Sequence, residues 1–367
     1  MSRASRFWGK AAIAREATLA GAYFESLDLA RRRFGLFLEC LGFGSHPTPS
    51  RSVCALRAAT LLAYQAPHQQ APAVLLVPAP IKRPYIWDLA PESSVVRRCL
   101  EAGLQVYLLA WSRPRPADSQ LGLAEYADHM MLESLEAIGK ETGQRKVFLV
   151  GHSLGGTLAA IFSSLHPERV LALIALEAPM AFGVGRIDVA ATAGVPGSAV
   201  TGALGNVPGT TLDWLSVCAD PHTYQIEPWT DWVECSGSPA ARELHLRVRR
   251  WMLDETAMAG RLFEEVLDRL YRENRFAQRA LEVEGRLADP RAMVMPILGV
   301  VDRRSRIVPP RSVEAYRSCT RSSDVEIADY SGDNGVVMQH IGVLVGQNAH
   351  RLLWPRVLQW VRRHASD

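Results

Sequence analysis

"LVGHSLGGTLAAIF", Leu149 to Phe162, sets Ser153 between Gly151 and Gly155 where an aliphatic run meets a helical one. The preceding "KVFLV" (Lys146 to Val150) has the unbroken apolar character of a strand buried on both faces. The following "GTLAAIFSSLHP" is a helical run. A G-x-S-x-G sequence in that context reads as a strand-to-helix turn with a serine nucleophile at its apex. Small residues at 151 and 155 relieve contacts that side chains would create in so tight a turn. The Leu154 N–H then points toward a developing oxyanion, and the helix dipole favours negative charge there.

Working outward, short aliphatic segments recur: "AVLLVP" (Ala73 to Pro78), "LQVYLLAW" (Leu104 to Trp111), "LALIALE" (Leu171 to Glu177), "MPILGVV" (Met295 to Val301) and "VEIADY" (Val325 to Tyr330). Helical patterns such as "SVVRRCLEAG" lie between them. Apolar strands alternating with amphipathic helices describe a mostly parallel, doubly wound α/β sheet, and with the serine turn this is the α/β-hydrolase fold. Residues 183–290 break the rhythm, first with Gly, Ala and Thr and then with Trp and helical residues. That stretch is expected to be a cap inserted between the sixth and seventh strands, dividing the core into 47–182 and 291–367. Caps of this kind shape a pocket and exclude water.

Residues 1–46 precede the core as a helical arm with basic residues between apolar ones. Such an arm could lie on a granule or lipid surface. Packing on its own domain or a sister subunit is the plainer expectation, since a stripe at helical period is ordinarily a core face.

Composition excludes several classes. The 367 residues are 48% hydrophobic and 22% charged, with a formal net charge of +3, so no nucleic-acid partner is implied. Six scattered cysteines form neither a disulfide framework nor a metal-ligand spacing. No apolar run spans a bilayer, and charges interrupt the N-terminal stretch where a leader would be apolar, so a cytoplasmic location is expected. Neither a metal nor a bound organic cofactor is required by the motifs.

A serine hydroxyl needs a base, which this fold supplies late in the chain. His340, in "VVMQHIGVLVG" after "VEIADY", is so placed. His152 lies within the turn with its side chain expected to face elsewhere. The acid is expected after "MPILGVV", where Asp302 opens "DRRSRIVPP". The competing reading of Asp302 is a loop carboxylate paired with Arg303, Arg304 or Arg306.

The segments "KRPYIWDLAPESS" (Lys82 to Ser94), "GLQVYLLAW", "GTLAAIFSSLHPERV", "RLYRENRF", "RIVPP" and "QHIGVLVGQNA" resemble, in order, those of the polyhydroxyalkanoate synthases, above all the short two-component type. The resemblance covers nearly all of Pro47 to His364. It implies an acyl-transfer site for (R)-3-hydroxyacyl thioesters, with CoA only as part of the substrate, and association with granules, a synthase partner subunit or a second copy. It also implies that the Ile81 N–H is the second oxyanion donor beside that of Leu154. The family nucleophile is a cysteine, whereas this chain has Ser153, and alignment of "IVPP" puts Ser305 at the family's aspartate. Some members of the hydrolase fold supply the acid from the strand that ends in "LALIALE". Glu177 is therefore the alternative to Asp302, which is slightly preferred.

Thiolates accept and release acyl groups readily, while an acyl-serine ester is usually cleared by water, so serine favours hydrolysis. The expected activity is a serine-dependent esterase, thioesterase or acyltransferase. Polymer synthesis through Ser153 and a non-catalytic companion that binds a synthase or granule are the alternatives.

Overall fold

Along the strand that leads to Ser153, Phe148 and Val150 join one buried cluster and Leu149 joins another. These clusters are the two faces of a central sheet, since successive strand side chains point oppositely. The computed structural model describes residues 3–65, 71–183 and 195–365. Its main sheet has eight strands: β1 (Ser50–Ala55), β2 (Ala59–Tyr64), β3 (Ala73–Val77), β4 (Gln105–Trp111), β5 (Val147–His152), β6 (Val170–Leu176), β7 (Ile297–Asp302) and β8 (Val325–Tyr330). The spatial order is β1-β2-β4-β3-β5-β6-β7-β8. Strands β3 to β8 are mutually parallel, and β2 runs antiparallel to both of its neighbours.

Because β4 and β5 lie on opposite sides of β3, a crevice opens beyond the carboxyl ends of β3 and β5. Ser153 and Ile81 follow those two strands. Strands β1 and β2 have no counterpart in the apolar runs read from sequence. As an edge strand, β1 is largely exposed and needs no continuous aliphatic core face.

One face of the sheet is covered by helices α3 (Met130–Thr142) and α4 (Leu154–Leu165), which follow α1 (Arg3–Leu38) and α2 (Val95–Glu101). Ile161 and Phe162 of α4 are fully buried there. Between β6 and β7 the described chain forms α5 (Gly197–Leu204), α6 (Gly209–Ala219), α7 (Glu227–Glu234), α8 (Pro239–Met252) and α9 (Gly260–Glu264), the last continuing as wider turns to Arg272. Residues 184–194, the start of the expected insertion, lie outside the described residues. The opposite face carries α2, α10 (Gln339–Val345) and α11 (Trp354–His364), with Trp354 and Trp360 buried.

Helix α1 packs against the insertion at α5, α6 and α8. Asp28 is buried and caps α6 from outside, its Oδ1 accepting from the Thr210 N–H at 2.7 Å and its Oδ2 from the Gly209 N–H at 3.2 Å. A carboxylate at a helix N-terminus satisfies orphan donors and faces the positive end of the dipole. Arg31 bridges Asp213 and Glu255, each at 2.9 Å. Packing of the arm on its own chain is thus observed at these residues, while Tyr23, Phe34 and Phe37 are exposed. Asp28→Ala is expected to lower the stability of unfolding by about 2 kcal/mol, the scale of a lost cap with buried donors left open. Urea denaturation with an unchanged m-value checks this. No helix among the described residues is long and apolar enough to cross a membrane.

Candidate active site

Ser153 stands between β5 and α4 with φ 54° and ψ −132°, outside the ordinary regions for an L-residue. Two observations explain how the turn holds it. The Ser153 N–H donates to the Leu176 carbonyl at 3.0 Å, and a Cβ on Gly151 would fall 2.4 Å from the Gly156 Cα. A Cβ on Gly155 would fall 2.2 Å from the Val77 carbonyl oxygen, so the first turn of α4 is pressed onto the exit of β3. That contact needs glycine, and it brings the Leu154 amide toward the loop that carries Ile81. As the first residue of α4, Leu154 has an N–H with no acceptor within the helix.

Ser153, Leu154, Ile81 and His340 all line one pocket of about 230 Å³. Its remaining wall is mostly apolar and comes largely from the insertion, including Leu212, Phe263 and Leu267. The four residues expected from sequence at the nucleophile, base and oxyanion positions therefore share one cavity.

The acid departs from the preferred reading. Glu177 directly follows β6, has a left-handed φ of 45°, and is fully buried. Its Oε2 lies 3.1 Å from His340 Nδ1, and accepts from Ser305 Oγ at 2.9 Å. Its Oε1 accepts from the Asp302 N–H at 2.6 Å. Asp302 is not the partner of His340, which corrects the expectation. Its Oδ1 accepts from the Arg304 N–H at 2.8 Å and its Oδ2 from Arg304 Nη2 at 3.1 Å. An arginine two residues away captures the carboxylate locally, leaving the Asp302 backbone to steady Glu177.

Burial pushes the Glu177 carboxyl up to about 8, against the hydrogen bonds from Asp302 and Ser305 that favour its charged form. Burial likewise pushes His340 down to about 4. With the proton on Nδ1, facing Glu177, the His340 Nε2 keeps a free lone pair. His152 is closer to this chemistry than its sequence position suggests: its Nε2 donates to the His340 carbonyl at 2.9 Å, and the two rings lie 4.5 Å apart. Burial holds the His152 ring neutral.

A family model described as alpha/beta hydrolase fold matches residues 87–234. A poly(3-hydroxyalkanoate) polymerase subunit PhaC from Haloferax mediterranei is 31% identical over 297 residues, covering 78% of this chain and 58% of that protein. The corresponding subunit from Haloarcula marismortui is covered over 61% of its length, so this chain spans about three-fifths of these two relatives. The PhaC subunit of Allochromatium vinosum is 26% identical, with 81% of this chain and 82% of that one covered. Among solved structures, the monoacylglycerol lipase of Paleococcus ferrophilus has a TM-score of 0.55 at 16% identity, covering 83% of this chain and 99% of that one. A soluble variant of monoglyceride lipase from Saccharomyces cerevisiae has a TM-score of 0.53 at 13% identity, covering 87% and 95%. The chain has the α/β-hydrolase fold and is similar in sequence to poly(3-hydroxyalkanoate) polymerase subunits.

Proposed function

We propose that this chain is a serine-dependent acyl-transfer enzyme that acts on (R)-3-hydroxyacyl esters or thioesters through an acyl-Ser153 intermediate. The observation that carries the proposal is the 3.1 Å contact of Nδ1 of His340, which lines the same cavity as Ser153, with the buried Glu177 behind it. In this reading Ser153 is the nucleophile and His340 the base. His340 Nε2 removes the hydroxyl proton as Ser153 Oγ bonds to the acyl carbon. The carbonyl oxygen becomes an oxyanion held by the N–H groups of Leu154 and Ile81. Collapse breaks the bond to the alcohol or thiol, which leaves with the proton from His340. Glu177 holds the imidazole tautomer and stabilises its charged form.

The insertion acts as a cap, with its apolar lining suited to an acyl chain. The similarity to polymerase subunits supports the 3-hydroxyacyl substrate class, with CoA arriving as part of it. Ser153 favours hydrolysis, because an oxyester is a poorer acyl donor to a second chain than a thioester. The same relatives support polymer synthesis as the second reading. Incubation with (R)-3-hydroxybutyryl-CoA separates the two. Soluble 3-hydroxybutyrate is the expected product, an insoluble polyester would establish synthesis, and an unconsumed thioester would overturn both.

A further inference from the structure

Buried carboxylates of the insertion reach three loops around the site. Glu255 takes Lys82 Nζ at 2.7 Å, beside Ile81. Asp220 accepts from Arg306 Nε at 2.8 Å and Nη2 at 2.9 Å, one residue past Ser305. Asp231, on α7, reaches the segment that leads into His340. Its Oδ1 accepts from the Gly335 N–H at 2.7 Å and its Oδ2 from the Val337 N–H at 2.9 Å.

That segment is not in a relaxed conformation. Val337 has φ 65°, a left-handed value that a β-branched residue adopts only when its surroundings impose it. Gly335, at φ 83°, sits so close to α8 that a Cβ would fall 2.3 Å from the Ala241 carbonyl oxygen. His245 of α8 fixes Asp231 in turn, with Nδ1 2.6 Å from Oδ2. Asp231, Cys235 and His245 have the composition of a metal site, yet both Asp231 oxygens already accept hydrogen bonds. Their arrangement is that of a clamp.

We propose that Asp231, braced by His245, is a positioning residue that sets the backbone three residues ahead of His340 and thereby couples the placement of the insertion to the alignment of the base. The proposal rests on the reading of His340 as that base. Asp231→Asn keeps the side-chain shape but offers one acceptor oxygen where two N–H groups need acceptors. The Val337 conformation then loses its support, and His340 shifts relative to Ser153.

The test compares wild type, Asp231→Asn, His245→Gln and Asp128→Asn. Asp128 is an equally buried aspartate, paired with His166 and Arg286 away from the pocket, and it controls for general destabilisation. For p-nitrophenyl butyrate, kcat of folded Asp231→Asn is expected to fall about 10²-fold with KM unchanged, the scale of a small misplacement at a reacting centre. His245→Gln retains both acceptors and is expected to give a smaller fall of the same kind. Asp128→Asn is expected to lower thermal stability while keeping wild-type kcat. Labelling of Ser153 by a fluorophosphonate should slow in parallel with kcat. Wild-type kcat in both folded Asp231→Asn and His245→Gln, or an equal kcat loss in Asp128→Asn, would overturn the proposal. An unlabelled wild-type Ser153 would instead overturn the reading of the site on which it rests.

Discussion

Ser153→Ala is expected to lower kcat for both p-nitrophenyl butyrate and (R)-3-hydroxybutyryl-CoA by on the order of 10⁶-fold, the scale seen when a serine nucleophile is removed from a triad that acts as a unit. The loss follows from chemistry alone, because alanine fills the same space and the backbone bonds of residue 153 remain. Both the N–H bond to Leu176 and the carbonyl that starts α4 are main-chain contacts. Thermal stability should therefore change little, and substrate should still bind in the apolar cavity. Steady-state kinetics beside a melting curve checks both halves. A variant that loses activity only by unfolding would not support the assignment.

Glu177→Gln is expected to lower kcat about 10⁴-fold, the cost of presenting an imidazole in the wrong tautomer. The amide oxygen can still accept from the Asp302 N–H, but the amide NH₂ then faces His340 Nδ1. It donates to that nitrogen and moves the imidazole proton to Nε2, where the Ser153 proton should go. The pH dependence follows from burial. The Glu177 carboxyl sits near 8 against an ordinary 4.5, so the carboxylate that supports His340 forms as pH rises toward 8. Wild-type kcat/KM is expected to climb through that range, and Glu177→Gln to lose the climb.

Stability runs the other way. A carboxyl raised in the folded state binds its proton more tightly there than in the unfolded chain. Its contribution is full below about 4.5 and is lost as pH rises through about 8. Glutamine never ionises, so the melting temperature of Glu177→Gln relative to wild type should rise from pH 5 to pH 9. Activity and stability moving in opposite directions would separate a catalytic carboxylate from a purely structural one.

The sequence carried the centre of the fold because β3 to β7 lie inside the sheet, are buried on both faces and are largely aliphatic. It did not carry β1, an exposed edge strand with no such run, or β2, a short strand that is buried but includes Thr60. That Ser153 and His340 come to one pocket was legible from strand, turn and chain order. The carboxylate beside His340 was not, because two carboxylates lie at the ends of neighbouring strands, β6 and β7, and local geometry chooses between them. Arg304 turns Asp302 aside, while the left-handed backbone at Glu177 sets its side chain beneath His340. Ser305, aligned with the family's aspartate, donates a hydroxyl to that same carboxylate. The carboxylate that faces His340 thus comes from the end of the adjacent strand. The clamp by Asp231 was also invisible in sequence, because its two main-chain donors lie more than a hundred residues away in the segment leading to His340.

The most direct measurement is peptide mapping of fluorophosphonate-treated protein, with loss of ester hydrolysis followed in the same samples. A single modification is expected on the peptide carrying Ser153, formed in step with inactivation and absent from Ser153→Ala. Inactivation with Ser153 unmodified, or full ester hydrolysis by Ser153→Ala, would contradict it.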